Sequence, residues 1–477
     1  MGRADYPGAS SWSRVSAYLE YVATSETMDR YLEDSSGFRG RADEVVVPGT
    51  VEEVRSVVVR CSQSGTPITI AGAGTGLTGA RVPQGGVVLS LERFADIEID
   101  RGRARCGTGV LLRDLQKAAG RTKQFFGPNP TEDSACIGGI ISTNAGGARS
   151  FHYGSVRRHV LALEVTFMDG RTRRLERGQP VDFLPQAVRM PDTTKNSAGY
   201  YLPPHVEWVD LLAGSEGTLG IMTQAELELL PEPAALLSGI IFFPSDTDAL
   251  EAVEAWRGVS ELRLLEFLDG PALDFLRPPY ADIPADARAA LMIEQNLQSE
   301  EDAEVDRWTV RMEEQKAFAE TSWFGFRAAD HERFREFRHT LAATVTDIPR
   351  RRGYPKFSTD FAVPFRYHRE LYARYRQRCE ELFPGKYTIF GHAGDANNHI
   401  NLLPGSQEEA QWGEELIHEF AVYVVSLGGT VAAEHGIGKT KTDLLQLMYS
   451  PAEIGAMKDV KRRLDPQWLL GPGTIFA

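Results

Sequence analysis

Three glycine-rich segments, each set against an apolar strand-like run, constrain this chain more than any other feature. The first, Gly72-Ala-Gly74-Thr-Gly76-Leu-Thr78-Gly79, follows the apolar run 66–71. The second spans residues 127–147 and contains Gly138-Gly139-Ile-Ile-Ser142-Thr143-Asn144-Ala-Gly146-Gly147. The third, Gly214-Ser-Glu-Gly-Thr-Leu-Gly220, leads into the strand-like run 221–230. Glycine clusters where backbone must turn tightly or approach another group, and successive unscreened N–H groups can converge on an anion such as a pyrophosphate. A purely structural loop is the alternative for any one segment alone. Residues 74–79 also satisfy GxGxxG, but a dinucleotide fingerprint of the Rossmann type must open a helix inside a βαβ unit. Here Pro83, Gly85 and Gly86 lead into another strand, 87–91, which argues against a nicotinamide Rossmann site.

The rest of the chain reads as α+β. Val45-Val46-Val47-Pro48 is a strand entering a turn, and Thr50 caps a helix over 51–64 with Val51, Val54, Val57, Val58 and Cys61 at helical spacing. Short helices are expected within 12–34, further strands around 98–106, a helix over 111–120, and a strand over 160–168 ending at the hairpin pair Asp169-Gly170. Pro231-Glu-Pro233 marks a boundary. Beyond it, charged helical patterns at 248–257 and 301–318 alternate with apolar strands such as 262–268, and this second α+β region closes near 430 after a helix over 407–427. Ser450-Pro451-Ala452-Glu453 is a capping box with proline at the first helical position.

A chain of 477 residues exceeds what one core usually supports, so two or more domains are expected. The formal charge of -14 opposes phosphate backbones and excludes nucleic acid as the expected partner. Cys61, Cys106, Cys136 and Cys379 have no CxxC or CxxCH spacing, so any redox cofactor should be organic. No run approaches the ~18 apolar residues of a membrane helix, and the expected location is cytoplasmic. Gly2 does not make a myristoylation signal, because Tyr6 stands where Ser or Thr is needed.

Chemistry-bearing residues gather late in the chain. Runs 387–391 and 399–403 read as two strands joined at Asp395-Ala396, which would set His392 and His399 directly opposite on one face, with Cβ atoms roughly 5 Å apart. That separation suits two ligands on one divalent ion, with Glu434 as a third; two imidazoles, a carboxylate and an open position fit catalytic zinc or a similar ion. A polar cross-strand pair is the alternative. Adjacent strand residues face opposite ways, so Glu434 and His435 share a cavity only at a bend, which Gly436 and Gly438 permit. His435 is the candidate base, since imidazole titrates near neutral pH; a buried hydrogen-bonded histidine is the alternative. Arg338 and Lys356, on either side of a helical stretch before Phe357-Ser-Thr-Asp-Phe-Ala-Val363, are candidate carboxylate partners or else solvated charges.

The three glycine-rich segments, in this order and separation, resemble the FAD-binding half of the vanillyl-alcohol oxidase/PCMH superfamily. The strings Gly391-His392-Ala-Gly394-Asp395-Ala396-Asn397-Asn-His399-Ile-Asn401 and Glu434-His435-Gly436-Ile-Gly438 resemble its D-lactate, glycolate and D-2-hydroxyglutarate dehydrogenase branch. The resemblance extends over about residues 40–475. It implies an α+β fold: a PCMH-type FAD-binding domain of two α/β subdomains (1–233), an α+β cap domain with antiparallel sheet (234–430), and a C-terminal segment (431–477) that closes the active site and returns to the FAD domain. It assigns flavin contacts to Pro48, Gly72, Gly74, Thr75, Gly76, Leu77, Thr78, Gly79, Pro128, Gly138, Gly139, Ser142, Asn144, Gly147, Gly154, Glu216, Gly220 and Ile221. No histidine lies within 72–79, where flavin-tethering relatives often carry one, so noncovalent FAD is implied.

The same resemblance implies a divalent metal, zinc being the expected ion, on His392, His399 and Glu434, with His435 as base and Arg338 and Lys356 near the substrate carboxylate. The implied reaction turns a small D-2-hydroxy acid into a 2-oxo acid, with hydride to flavin N5. Electrons would pass to an external acceptor such as an electron-transfer protein or quinone-linked subunit, with a homodimer as one candidate assembly and the oligomeric state left open by the sequence. Two departures stand out: Ala396 replaces the branch's glycine, and Leu470-Gly471-Pro-Gly-Thr474 replaces a tail of type LNPGK, removing one expected flavin-side contact. Two rival readings follow: a non-redox FAD enzyme similar to alkylglycerone-phosphate synthases, and a noncatalytic flavin-binding protein.

Overall fold

Parallel neighbours in a sheet need a crossover of a dozen or more residues, usually a helix. The computed structural model, which describes residues 28–183 and 185–476, meets this need in two different ways within its first sheet. β1 (Glu44–Val46) connects to β2 (Ile68–Ala71) through the helix Val51–Ser64, and β2 connects to β3 (Val87–Ser90) through the glycine-rich loop alone. The three strands are parallel in the order β1-β3-β2. The helix forms as the sequence requires: Val54, Val57, Val58 and Cys61 are buried along one face, Thr50 and Glu53 make a reciprocal capping box, and Gly65 ends it at φ 68. The helices expected within residues 12–27, and Gly2 and Tyr6, lie outside the described residues.

A second, antiparallel sheet contains β4 (Ile97–Asp100), β5 (Arg103–Gly107), β7 (Val160–Thr166), β8 (Thr172–Glu176) and β9 (Ile221–Glu228) in the order β4-β5-β9-β7-β8. β6 (Gln124–Phe125) pairs with β10 (Leu230–Pro231) beside it. β7 ends two residues earlier than the expected 168. Its register, Thr166 opposite Thr172, leaves a five-residue connection with Gly170 at φ 78, so Asp169-Gly170 sits within a longer turn.

The third sheet has seven strands: β11 (Ala235–Phe243), β12 (Leu262–Leu268), β13 (Ala289–Leu297), β14 (Trp323–Gly325), β15 (Phe357–Ser358), β16 (Tyr387–His392) and β17 (Asn397–Leu402). Their order is β14-β11-β13-β12-β16-β17-β15, antiparallel throughout. The α+β architecture with antiparallel sheets therefore stands as expected. One apolar cluster runs from Leu163, Trp208 and Leu227 in the first half to Phe267, Tyr375 and Phe420 in the second, so the two halves share a core.

The chain's last segment returns to the first sheet. Leu470 bridges Ile68 in parallel, with Gly471 N donating to Ile68 O at 2.8 Å. The helix Pro451–Leu464, capped by Ser450 and Glu453, places Lys461 inside, where its ammonium donates to Thr218 O (2.8 Å), Asp465 Oδ2 (2.6 Å) and Leu470 O (2.7 Å). Further back, Lys439 N donates to Thr78 O at 2.8 Å, and Gly438 lies against that carbonyl at φ 56. A Cβ at Gly438 would sit 2.0 Å from Thr78 O. Gly438→Ala should therefore cost about 2 kcal/mol or more, lowering Tm, because the left-handed backbone and the clash act together. Gly428→Ala, at φ 78 with nothing within 4 Å, should cost only the backbone part, about 1 kcal/mol.

A buried ion network also joins the halves. Glu294 of β13 accepts from Arg149 Nε and from Arg263 Nε of β12, both at 2.8 Å. Burial alone would raise the Glu294 carboxyl, but the two guanidinium groups outweigh it and hold it at about 2, against an ordinary 4.5. A depressed carboxylate stabilises the fold fully above its unfolded value and loses that contribution as pH falls towards the folded value. The shift corresponds to about 3 kcal/mol, lost between about pH 4.5 and 2. Glu294→Gln should lower Tm at neutral pH and flatten the fall of Tm across that window.

Candidate active site

The crossover loop between β2 and β3 is the floor of a deep cavity. Among the described residues, no backbone N–H of residues 73–78 donates to a protein acceptor, which leaves six donors in one short arc. The cavity, about 510 Å³, lies within the range of small-molecule and cofactor sites. Its wall includes Gly72, Gly74, Thr75, Gly76, Leu77 and Thr78 from the first segment, Gly138, Gly139 and Ser142 from the second, and Glu216 from the third. The second segment differs in conformation from a simple loop: residues Ile137–Ser142 form a short helix, with Gly138 packed so closely on Thr108 that a Cβ would lie 2.9 Å from its Cβ. Gly72 is similarly required by Cys136, whose sulfur would lie 2.6 Å from an added Cβ.

Other expected flavin contacts stand back from the wall: Pro48, Gly79, Pro128, Asn144, Gly147, Gly154, Gly220 and Ile221. Asn144 has a different task, accepting from Arg157 N (2.9 Å) and donating to Asn196 O (3.3 Å). Gly147 allows close approach of Asn129 O, and Ile221 is core. Glu216 uses its carboxylate on the C-terminal segment, accepting from Ile437 N (2.8 Å) and Gly438 N (2.7 Å), while burial still pushes it up to about 7. Sequence reasoning missed Arg81, Thr108, Cys136, Met222 and Gly471 in the wall. At the altered tail, Thr474 Oγ1 receives the Lys439 ammonium at 2.8 Å, and the same group donates to Ala80 O at 3.0 Å.

At the cavity's inner end the wall is made by Glu434 and His435. The hairpin that leads to them is not the two-residue turn expected. His392 opposes Asn397 and His399 opposes Phe390, because residues 393–396 form the connection, with Ala396 at φ 52. That left-handed position favours glycine, which is the branch's residue there. His392 and His399 are thus diagonal neighbours on one face, with ring centroids 5.4 Å apart.

Glu434 Oε1 lies 3.0 Å from His392 Nε2 and 3.6 Å from His399 Nε2, and one ligand atom from each residue falls within 4.8 Å of the others. Behind them, His399 Nδ1 donates to Thr359 O at 2.8 Å, and His392 Nδ1 lies 2.7 Å from Glu266 Oε1, an ion-pair contact without hydrogen-bond geometry. Those outer contacts leave both Nε2 atoms directed at a common point, the arrangement expected around a bound divalent ion. Burial alone would raise the Glu434 carboxyl, but His392 and Lys195 pull it well below its ordinary value. Lys195, fully buried, bridges Glu434 Oε2 (3.1 Å) and Asp395 Oδ2 (3.2 Å), so Glu434 keeps Oε1 for the histidine side.

His435 stacks on His399, centroids 5.7 Å apart at 9°. Its backbone N–H donates to Asp360 Oδ2 at 2.8 Å, and its Nδ1 lies 3.5 Å from the same oxygen. Burial depresses the imidazole to about 4, leaving it neutral at pH 7 and able to accept a proton. Asp360, Glu434 and His435 also converge, but Lys441 lies 3.3 Å from Asp360 and supplies the cation there.

The two expected carboxylate partners part company. Arg338 does not flank a helix; it lies within Ala328–Arg352 and donates to Glu266 Oε1 at 2.7 Å, behind His392. Its guanidinium is therefore committed to the outer contact of a candidate ligand. Lys356 lies beyond that helix, exposed and without an ion pair among the described residues; water screens the downward pull of the surrounding protein on its ammonium. Lys195, Glu266, Asp360 and Lys441 escaped sequence reasoning, although Asp360 sits inside the string 357–363.

Comparisons with known proteins agree with this geometry. Residues 42–176 match the family described as "FAD binding domain", and residues 232–475 match "FAD linked oxidases, C-terminal domain". The chain is 31% identical over 443 residues to a D-lactate dehydrogenase of Archaeoglobus fulgidus, covering 90% of each. It is 29% identical over 464 residues to glycolate oxidase subunit GlcD of Bacillus subtilis (92% of this chain, 90% of that), and 28% identical over 446 residues to a D-2-hydroxyglutarate dehydrogenase of Xanthomonas citri pv. viticola (91% and 89%). Among solved structures, an alkyldihydroxyacetonephosphate synthase superposes with TM-score 0.70 at 14% identity, over 99% of this chain and 87% of that one, a likeness of fold alone. With an FAD-binding domain followed by an FAD-linked oxidase C-terminal domain over most of its length, the chain belongs to the family of FAD-linked oxidases.

Proposed function

We propose that this protein oxidises a small D-2-hydroxy acid to the corresponding 2-oxo acid, using noncovalent FAD and a divalent ion, zinc first among the candidates. The observation that carries this reading is that Glu434 and His435 line the same cavity as the glycine loop. The hydroxy-acid relatives, each matched over about nine-tenths of its length, support the substrate class. In this reading residues 1–233 hold FAD, 234–430 form the cap, and 431–477 close the site. Bound FAD would supply the two-electron acceptor at N5, and an ion on His392, His399 and Glu434 would make the substrate hydroxyl more acidic.

The protein's own groups do the rest. His435, neutral and set by Asp360, accepts the hydroxyl proton as the carbon gives up hydride. Lys356 offers the unpaired cation for the substrate carboxylate, while Arg338 and Glu266 fix the orientation of His392. The four described cysteines are buried and free, and the two electrons leave to an external acceptor. No helix among the described residues is long and apolar enough to cross a membrane, so a membrane-linked acceptor would be reached through a partner.

Anaerobic exposure of the yellow protein to paired D- and L-2-hydroxy acids should bleach the flavin band with D isomers only, and a chelator should stop it until a divalent metal is restored. A protein that no hydroxy acid bleaches would overturn the assignment. His435→Ala should keep its flavin but lose about 10²–10⁴-fold in reduction rate; a loss below tenfold would exclude His435 as base. His392→Ala and His399→Ala should each lower the metal content found by elemental analysis after dialysis, with flavin content unchanged.

A further inference from the structure

The outer end of the cavity holds a cation that the reaction does not use. Arg81 follows the first glycine loop and folds back beneath it, donating Nη1 to Gly72 O at 2.7 Å and Nη2 to Arg30 O. The guanidinium passes so close to the loop that a Cβ on Gly74 would lie 2.6 Å from Nη1, so glycine is needed there to let it pass. Arg81 lines the cavity, and its Nε is buried without any hydrogen-bond partner. It forms no salt bridge among the described residues. The other guanidinium of the wall, Arg30, pairs with Glu92 at 2.9 Å. Asp34, the nearest acid of influence, already accepts from Gly79 N at 3.0 Å through Oδ2 and from Ser36 N at 3.0 Å through Oδ1.

A partly desolvated cation that has two carbonyl partners, the Tyr31 ring at 6.0 Å and an Asp34 carboxylate hydrogen-bonded elsewhere, but no salt bridge of its own, is costly unless an anion completes it. The adjacent arc of six free amides needs an anion too. The remaining charges of the wall are acidic: Asp34, Glu92, Glu132, Glu216 and Glu434, in a chain of net charge -14. A dianionic diphosphate entering this cavity would otherwise meet repulsion. We propose that Arg81 is the counter-charge for the diphosphate of the bound dinucleotide, acting together with the amides of residues 73–78; this rests on the FAD reading above. Burial also lowers the guanidinium's pKa from its usual value, the direction expected of a cation that lacks its anion.

The test is a titration of the full-length protein, freed of flavin, with FAD and with riboflavin, which lacks phosphate, followed by flavin fluorescence. Arg81→Met should weaken FAD about 30-fold and leave riboflavin within about twofold, and Arg81→Lys should recover most of the loss. FAD affinity of the wild type should fall more steeply with salt than that of Arg81→Met. Equal losses for FAD and riboflavin would overturn the proposal and reduce Arg81 to a support for the loop; so would unchanged FAD affinity. Should Arg81→Met fail to fold, a wild-type FAD affinity with the same salt dependence as riboflavin overturns it without any variant. A wild type that takes up neither flavin would overturn the cofactor reading itself, a result distinct from the others.

Discussion

The carboxylate of Glu216 joins the cofactor cavity to the reactive cluster. It stands in the third glycine segment at φ 51 and accepts the backbone N–H groups of Ile437 and Gly438. Gly436 lies against the same carboxylate, where a Cβ would come within 2.7 Å of its carbon. The bend in the irregular segment 431–438 that lets neighbouring residues Glu434 and His435 both face the cavity is therefore set by the third glycine segment. Burial pushes Glu216 up to about 7, so the bond costs desolvation that the two amide donors and the nearby ammonium groups of Lys441 and Lys439 offset in part. A polar group kept in so unfavourable a place defines a position more sharply than an apolar contact would, since any displacement leaves the carboxylate buried and unpaired.

Charge is nearly balanced around the candidate metal ligands. Leaving the imidazoles aside, four carboxylates, Glu266, Asp360, Asp395 and Glu434, meet three fixed cations, Lys195, Arg338 and Lys441. The excess is a single negative charge. Lys195 holds Asp395 and Glu434 Oε2, Arg338 holds Glu266 and Lys441 holds Asp360, leaving Glu434 Oε1 and the two Nε2 atoms facing one another.

Much of this was legible in the sequence, for local reasons. The helix Val51–Ser64 and its cap, the helix Pro451–Leu464 and the strand Leu262–Leu268 follow from periodicity and capping residues that act within a few positions. His392, His399 and Glu434 also come together as the motif spacing suggested. The hairpin register did not follow, because Asp395-Ala396 has a turn-like composition while the backbone uses Ala393 and Gly394 as well. The ion pair of Arg338 with Glu266, 72 residues away, carries no local signal in the sequence. Lys195 was invisible for the same reason, lying 239 residues from Glu434.

The GxGxxG string shows how one local pattern serves two architectures. In a Rossmann unit the glycines let the chain turn from a strand into a crossover helix, and the helix N-terminus presents its amides to the diphosphate. Here the crossover from β2 to β3 is the loop itself, so no helix axis organises the donors. The amides of residues 73–78 must be held by what surrounds them: Asp34 on Gly79 N, Lys439 N on Thr78 O, and Arg81 on Gly72 O. Two of those three come from outside the loop's own strands, one from each end of the described chain. In the proposed reading, an anion site built this way is complete only with Lys439 on Thr78 O, in the segment that also carries Glu434 and His435.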